Sequence, residues 1–542
     1  MSGVAVSSDI VTTETAFPRS AGFTSLVRFS LRRERWILPW WLAGMAALMA
    51  LQSTSSQNFY DSPEKLAQLR STMSANAALV AMGGPTRLLE TIGGEVLFEI
   101  FAYLAIVVAL MNMFLIGRNT RSDEEAGRTE LIRSMRVGRR APVLAALGIA
   151  VLANIVVAVV LTVTSVVTAL AIEGSVLFGL AIAGFGMTVA AATTVAAQMY
   201  QNPRGVYAAV SALIAVAYIL RAVGDVGNDA VAWASPIGWG QRTYPFVDDR
   251  WWPLLLYVVM SAMLVAVAFI LAERRDFGAG VFRYRAGRGT ASRLLSSPVG
   301  LVWRVQRATV FGWCIGVFVL GSAYGSFADS IEQFLADNPE LAAYLPDASD
   351  AVDSYHSLTL SIIALLAAAC GVSCVLRART EEAAGRAEMI LAAPVGRVRW
   401  LTGYLVVAMA GSALVLVAGG FGDGLAYGVT IGDPLQAVRL AASALAYVPA
   451  VWVIVAATAV VVGVARRAAA VAWLFFGYVA VAVMFADAFD LPEWFDRASP
   501  LRYTAQVPLE PFDLGQGLIL LAVAAGLSGI AFVGCRRRDL GY

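Results

Sequence analysis

The chain has 542 residues, of which 59% are hydrophobic and only 14% charged, and its formal net charge is +2. Soluble domains carry about 25% charge, so this balance excludes an ordinary soluble protein; the net charge itself says little about partners, and no nucleic-acid partner is expected. Many apolar runs approach the ~20 residues that cross a ~30 Å hydrocarbon core, which sets the expectation of an all-α polytopic membrane protein.

Lys65, in SPEKLAQL, is the sole lysine among 40 basic residues. A phosphate-binding P-loop needs its lysine after a glycine-rich turn, so this chain is not itself a P-loop ATPase, and no lysine is placed for a buried Schiff base. His356 is the single histidine, which excludes HExxH zinc chemistry and argues against a Ser-His-Asp triad. Cys314, Cys370, Cys374 and Cys535 fall in or beside apolar runs and read as small core residues. The expectation is a chain with no catalytic residue, metal or cofactor of its own.

In chain order, residues 1–21 lack the basic and apolar regions of a signal peptide and read as a cytoplasmic tail. FTSLVRFSLRRERW at 23–36 sets Phe23, Leu26, Val27, Phe29 and Leu31 among Arg28, Arg32, Arg33 and Arg35, as an interfacial amphipathic helix does. Trp36, Trp40 and Trp41 follow at headgroup depth. The first half, 22–273, offers spans near 37–52, 95–117, 143–172, 175–198, 205–223 and 253–272. Residues 53–94 and 224–252 read as external segments, the first broken at Gly83-Gly84-Pro85 and the second containing ASPIGWGQRTYPF. Residues 274–298 form a cytoplasmic linker carrying Arg274, Arg275, Arg283, Arg285, Arg288 and Arg293.

The second half, 299–542, repeats the plan. WRVQR echoes the interfacial helix, and spans fall near 310–324, 357–376, 401–419, 435–464, 468–488 and 518–533. An acidic external segment occupies 325–355, and RASPLRYTAQVPLEPF precedes the last span, its Ala498-Ser499-Pro500 matching Ala234-Ser235-Pro236. Arginine clusters at 28–35, 118–140, 274–293, 377–399, 466–467 and 536–538 all fall on one side of this twelve-span arrangement. By the positive-inside rule that side, with both termini, is cytoplasmic. Six spans per half make two parallel six-helix halves, a pseudo-dimer, rather than an inverted repeat.

The strongest internal signal is a charged stretch that occurs twice. RSDEEAGRTELIRSMRVGR at 121–139 aligns without a gap to RTEEAAGRAEMILAAPVGR at 379–397, with identity at ten positions. Arg121/Arg379, Glu124/Glu382, Gly127/Gly385, Arg128/Arg386 and Glu130/Glu388 are among the pairs. Acids lead and arginines trail, which suits a helix dipole, and Glu125, Thr129 and Ile132 share a face by i, i+4, i+7 spacing. The spacing predicts one short amphipathic helix, with Gly127 small enough for another backbone to approach. Two equivalent docking helices imply a partner with two equivalent grooves.

The interfacial helix, the charged element after span two, the re-entrant external segment before span six and the ASP motifs together resemble the membrane subunits of ABC-2-type exporters. The duplicated R-x-x-E-x-A-G-R-x-E element is most similar to the fused twelve-span permeases of actinobacterial polyketide-antibiotic (tetronasin-type) exporters, over residues 23–542. The resemblance implies that both elements are coupling helices seating two copies of a separate ATP-binding subunit, which would carry the ATP and magnesium. Arg121, Glu124, Glu125, Gly127, Arg128 and Glu130 would serve the first site, and Arg379, Glu382, Gly385, Arg386 and Glu388 the second. Ala383 stands opposite Glu125, so the two sites need not bind equally. The resemblance also implies a lipophilic small-molecule cargo and a cleft lined by spans two, five, eight and eleven. Glu99, Tyr103, Asn112, Tyr218, Trp473, Phe476 and Tyr478 are the pathway candidates on those spans.

Other readings compete. A proton-coupled secondary transporter also has parallel six-span halves and a Gly-Arg loop after span two, but there the loop is a tight turn, whereas residues 118–142 separate the spans here. An enzyme or lipid-organising protein could use Asp329, Asp337, Asp347, Asp350 and Asp353, which lack the spacing of a calcium loop. Glu99, Arg221 and Arg439, near span ends, are expected to reach an interface or pair with one another. His356 is expected at an interface, without a chemical role.

Overall fold

A computed structural model describes residues 21–60, 62–75, 77–134, 137–138, 140–275, 280–281, 289–331, 350–464, 468–485 and 493–537. Expectations resting on residues 1–20, Arg139, Arg283, Arg285, Arg288, Asp337, Asp347, 466–467 and Arg538 lie outside the described residues. Among the described residues the regular elements are helices, and the protein is an all-α polytopic membrane protein. The chain divides into two compact units, Met1–Ala286 and Gly287–Tyr542.

In the first unit, α1 (Phe23–Glu34) meets α2 (Leu38–Phe59) at a 59° bend. The external segment carries α3 (Pro63–Ala75) and α4 (Ala77–Gly83). Next come α5 (Ile92–Asn119) and the short α6 (Arg121–Glu125) and α7 (Arg128–Arg133). Helices α8 (Ala141–Val167), α9 (Ile172–Met199) and α10 (Pro203–Val226) follow, then the short α11 (Asp229–Ala232) and α12 (Pro236–Gln241), and last α13 (Leu254–Arg274). The core sits on α5, α8 and α9, where Phe101, Leu104, Ile149, Phe178 and Phe185 are buried. Ser235 and Pro236 start α12 for a local reason. The Ser235 hydroxyl accepts from the Ile237 and Gly238 amides while donating to Ala217 O at 2.6 Å, and proline suits the first helical position. The segment is tucked in: Gln241 donates to Gly83 O at 2.7 Å and Tyr257 to Pro236 O at 2.6 Å.

The second unit holds α14 (Pro298–Gly325), α15 (Ala351–Ala383), the short α16 (Arg386–Leu391), α17 (Arg397–Ile431) and α18 (Leu435–Leu445). It ends with α19 (Val448–Val464), α20 (Ala469–Phe485), the short α21 (Glu493–Asp496) and α22 (Leu514–Arg537). Helices α18 and α19 meet at a 42° bend. Helix α17 continues well past the expected end of its span, through the glycine-rich FGDGLAYGVTI. Those glycines are packing positions rather than a loop. A Cβ on Gly325 of α14 would lie 2.0 Å from Asp423 O, and one on Gly422 would lie 2.3 Å from Phe318 O. Small residues let helix backbones approach where no hydrophobic effect separates helix from lipid.

Among the described residues nine helices are long and apolar enough to cross a membrane, or up to eleven if each bent pair is one span. The expected crossing at 468–488 holds the shorter apolar helix Ala469–Met484. The two units also differ where the repeat predicts likeness. WRVQR does not form a separate interfacial helix but belongs to the unbroken α14, whereas α1 and α2 are bent apart.

Candidate functional site

Both charged elements are broken at the same glycine. Gly127 has φ +70° and Gly385 φ +69°, a left-handed conformation that ends one helix and starts another. A Cβ at either would meet nothing within 4 Å, so conformation and not crowding within the unit calls for glycine. The single amphipathic helix expected from the spacing therefore does not form. The break between Glu125 and Arg128 leaves Glu125 exposed and Thr129 buried, so they do not share a face.

The acids ahead of the break hold the first element to its unit. Glu124 accepts from Arg121 at 2.8 Å and from Arg275, just past α13, at 2.6 Å. Arg121, 1% exposed, also donates to Ala197 O near the end of α9. Asp123 accepts from Arg33 of α1 at 2.9 Å and from Arg128 across the glycine at 2.8 Å. Arg33 donates in addition to Asn119 at 2.7 Å, and buried Glu34 accepts from Arg118 at 2.7 Å. One turn of chain thus gathers α1, α5, α9 and α13.

The second element repeats part of this. Glu381 occupies the position of Asp123 and pairs with Arg386 across the glycine and with Arg377 at 2.7 Å. Arg379 and Glu382 are half-buried. Asp123 and Glu381 escaped a comparison based on identity because one acid is shorter, yet an acid five residues before an arginine recurs in both copies. The outward faces are alike too. Glu125, Arg128 and Glu130 are exposed in the first element, as are Gly385, Arg386 and Glu388 in the second. Each also presents an apolar side chain at the same position, Leu131 72% exposed and Met389 71% exposed.

Within the first unit the pathway candidates lie in three different surroundings. Glu99 and Tyr103 line an open cleft of about 640 Å³ between α2, α3, α4 and α5. Asn112 lies deeper, where its amide and that of Asn154 exchange hydrogen bonds at 3.1 and 2.8 Å, a buried helix–helix tie. Tyr218 reaches Met82 O at 3.4 Å and lies under the Arg221 guanidinium, 4.5 Å from ring centroid to Cζ. In the second unit Trp473 stands edge-on to Phe476 at 5.7 Å, and the Tyr478 hydroxyl donates to Phe495 O.

Arg221 and Arg439 form ion pairs, though with partners the sequence reading did not name, and Glu99 has an uncharged hydrogen-bond partner. Buried Arg221 faces Asp225 at 3.5 Å and donates to Met82 O, while Asp225 also accepts from buried Arg242 at 2.9 Å. Arg439 pairs with Asp353, and Glu99 accepts from Gln52. His356 lies within the protein near the start of α15. It is fully buried, with Nδ1 3.1 Å from Asp423 Oδ2, an equally buried carboxyl on the extended part of α17. Among the described residues no three His, Cys, Asp or Glu side chains are gathered to hold a metal ion, and Asp350 serves to cap α15.

A family model described as the C-terminal domain of the multidrug efflux system permease Rv1217c matches residues 23–271 and 295–536, one stretch in each compact unit. The multidrug efflux system permease protein Rv1217c of Mycobacterium tuberculosis is 34% identical over 531 residues, 96% of each chain. On that extent of match, the chain belongs to the family of the multidrug efflux permease Rv1217c.

Proposed function

We propose that the chain is the transmembrane subunit of an ATP-driven, ABC-2-type exporter that extrudes hydrophobic or amphiphilic compounds, antibiotics among them. Two copies of a separate ATP-binding subunit would seat on residues 121–133 and 379–391. The observation that carries this reading is the twinned element itself: a left-handed glycine, a mixed-charge exposed face and an exposed apolar side chain at the same position, Leu131 and Met389. Exposed apolar residues rimmed by charge suit a protein interface. Arg121, Asp123 and Glu124 would transmit force, since their ion pairs reach α1 and α13 and one of Arg121's hydrogen bonds reaches α9. The halves would then move as near-rigid bodies when the ATPases close. The drug cargo is suggested by the name of the mycobacterial relative.

The test is transport of a lipophilic fluorescent dye into inside-out vesicles with the proton gradient clamped. Transport should collapse on ATP depletion. Survival without ATP would favour a proton-coupled transporter instead, a reading to which the buried His356–Asp423 pair lends a specific feature.

A further inference from the structure

The cleft between α2, α3, α4 and α5 has apolar walls and a polar strip, where Gln52, Thr54, Ser55 and Asn58 of α2 join Glu99 of α5. Leu48, Leu51, Met73, Met82 and Phe98 make its walls, and its volume of about 640 Å³ falls within the ~300–1,000 Å³ of sites for drug-sized ligands. Thioether side chains adapt to guests of different outline. Glu99 stands on the wall one turn beyond Glu95, which is fully buried and has neither carboxyl oxygen in a hydrogen bond. Gln52 donates to Glu99. Among the described residues no arginine or lysine forms an ion pair with either glutamate, in contrast to Glu34, Glu124 and Glu381 of the same chain. A carboxylate in an apolar setting without a cationic partner is costly. A proton held on the two carboxyls relieves this cost in the empty cleft, and a cationic guest that displaces it would supply the pairing that the described residues lack.

We propose that this cleft binds amphiphilic organic monocations, with Glu99 as counter-ion and the apolar walls holding the body of the guest. Tyr103, at the mouth and 51% exposed, offers a ring face to the same charge. An anionic guest of equal size and shape would face Glu99 unpaired and is rejected. Glu99 and the charged element lie about 30 Å apart along one helix, α5, by its rise of ~1.5 Å per residue, so the site and the proposed docking element share a rod. The proposal deepens the export reading by naming its cargo class and rests on that reading for the fate of the guest.

The experiment uses the full chain in uncharged dodecyl maltoside, without any ATPase, and compares equilibrium binding of tetraphenylphosphonium with that of tetraphenylborate, its counterpart of near-identical shape and opposite charge. The cation should bind at least tenfold tighter. Glu99→Gln should remove that preference, and Glu99→Asp should retain it. Melting of the Glu99→Gln variant shows whether it is folded, and if it is not, the comparison of the two ions on the unaltered chain still decides. Equal affinity for the two ions, or unchanged phosphonium binding in folded Glu99→Gln, overturns the proposal. Because binding needs no ATP, phosphonium selectivity without ATP-driven export would refute the export reading alone, and ATP-driven export without selectivity would refute the cleft alone.

Discussion

Asp123→Asn is the substitution that most sharply separates the two charged elements. In the first unit the Asp123 carboxylate accepts from Arg33 Nη1 at 2.9 and 3.0 Å, which ties α1 to α6. Two further ties survive the change, Arg33 to Asn119 and Glu34 to Arg118. A hydrogen bond to a charged group contributes about 1.5–3 kcal/mol, and the Arg33 side chain is 28% exposed, which moves the loss to the low end, about 1–2 kcal/mol. The pair with Arg128 adds little because that side chain is 57% exposed. Local opening of α1 should therefore become about 5–30 times more frequent. Amide hydrogen exchange across residues 23–34 should accelerate by that factor, with α8 and α9 unchanged. Glu381→Gln should loosen α16 but leave the start of α14 protected, because Glu381 pairs with Arg377 and Arg386 and not with α14. A change under twofold in α1, or equal acceleration in every helix, would refute this assignment.

Gly127→Ala and Gly385→Ala should each cost roughly 1–2 kcal/mol, the strain of a left-handed residue with a Cβ, read as a fall in melting temperature. Asparagine should cost less, and a much larger loss would mean that something crowds these positions. Asn112→Ala should cost about 1–2 kcal/mol by orphaning the Asn154 amide, while Asn112→Leu with Asn154→Leu should recover most of it; additive losses would contradict the pairing. His356→Ala should destabilise by about 3–5 kcal/mol because it strands the buried Asp423 carboxyl, whereas Asp423→Asn, which keeps a hydrogen-bonding partner, should cost less. Equal thermal melts for the two would show that the pair does not exist as drawn.

The helical, membrane-spanning character of the chain was legible because length and hydropathy are one-dimensional signals. Every expected crossing has a helix at its position, although α17 runs on because its glycines fill close contacts with α14 that no window of hydropathy contains. The break at Gly127 and Gly385 was hidden by the helical spacing of the residues around it; only a positive φ distinguishes a helix-ending glycine from a helical one. Partnerships between distant residues were the least legible. Asp423 meets His356 across 67 positions and Asp123 meets Arg33 across 90, and nothing local to either residue announces its partner. The exposed Leu131 and Met389 were visible as a matched pair in the repeat, but their exposure follows from the break that precedes them.

The central claim is that the two charged elements seat ATP-binding subunits. The most direct measurement is purification of the tagged chain from its native membranes in mild detergent, with mass identification and stoichiometry of what accompanies it. The variant to compare is Leu131→Glu with Met389→Glu, which touches exposed side chains and leaves the buried Glu124 network intact. An ATP-binding subunit at two copies per chain, lost in that variant while the chain stays folded, is the predicted result. A chain that emerges alone and transports in liposomes without ATP would contradict the account.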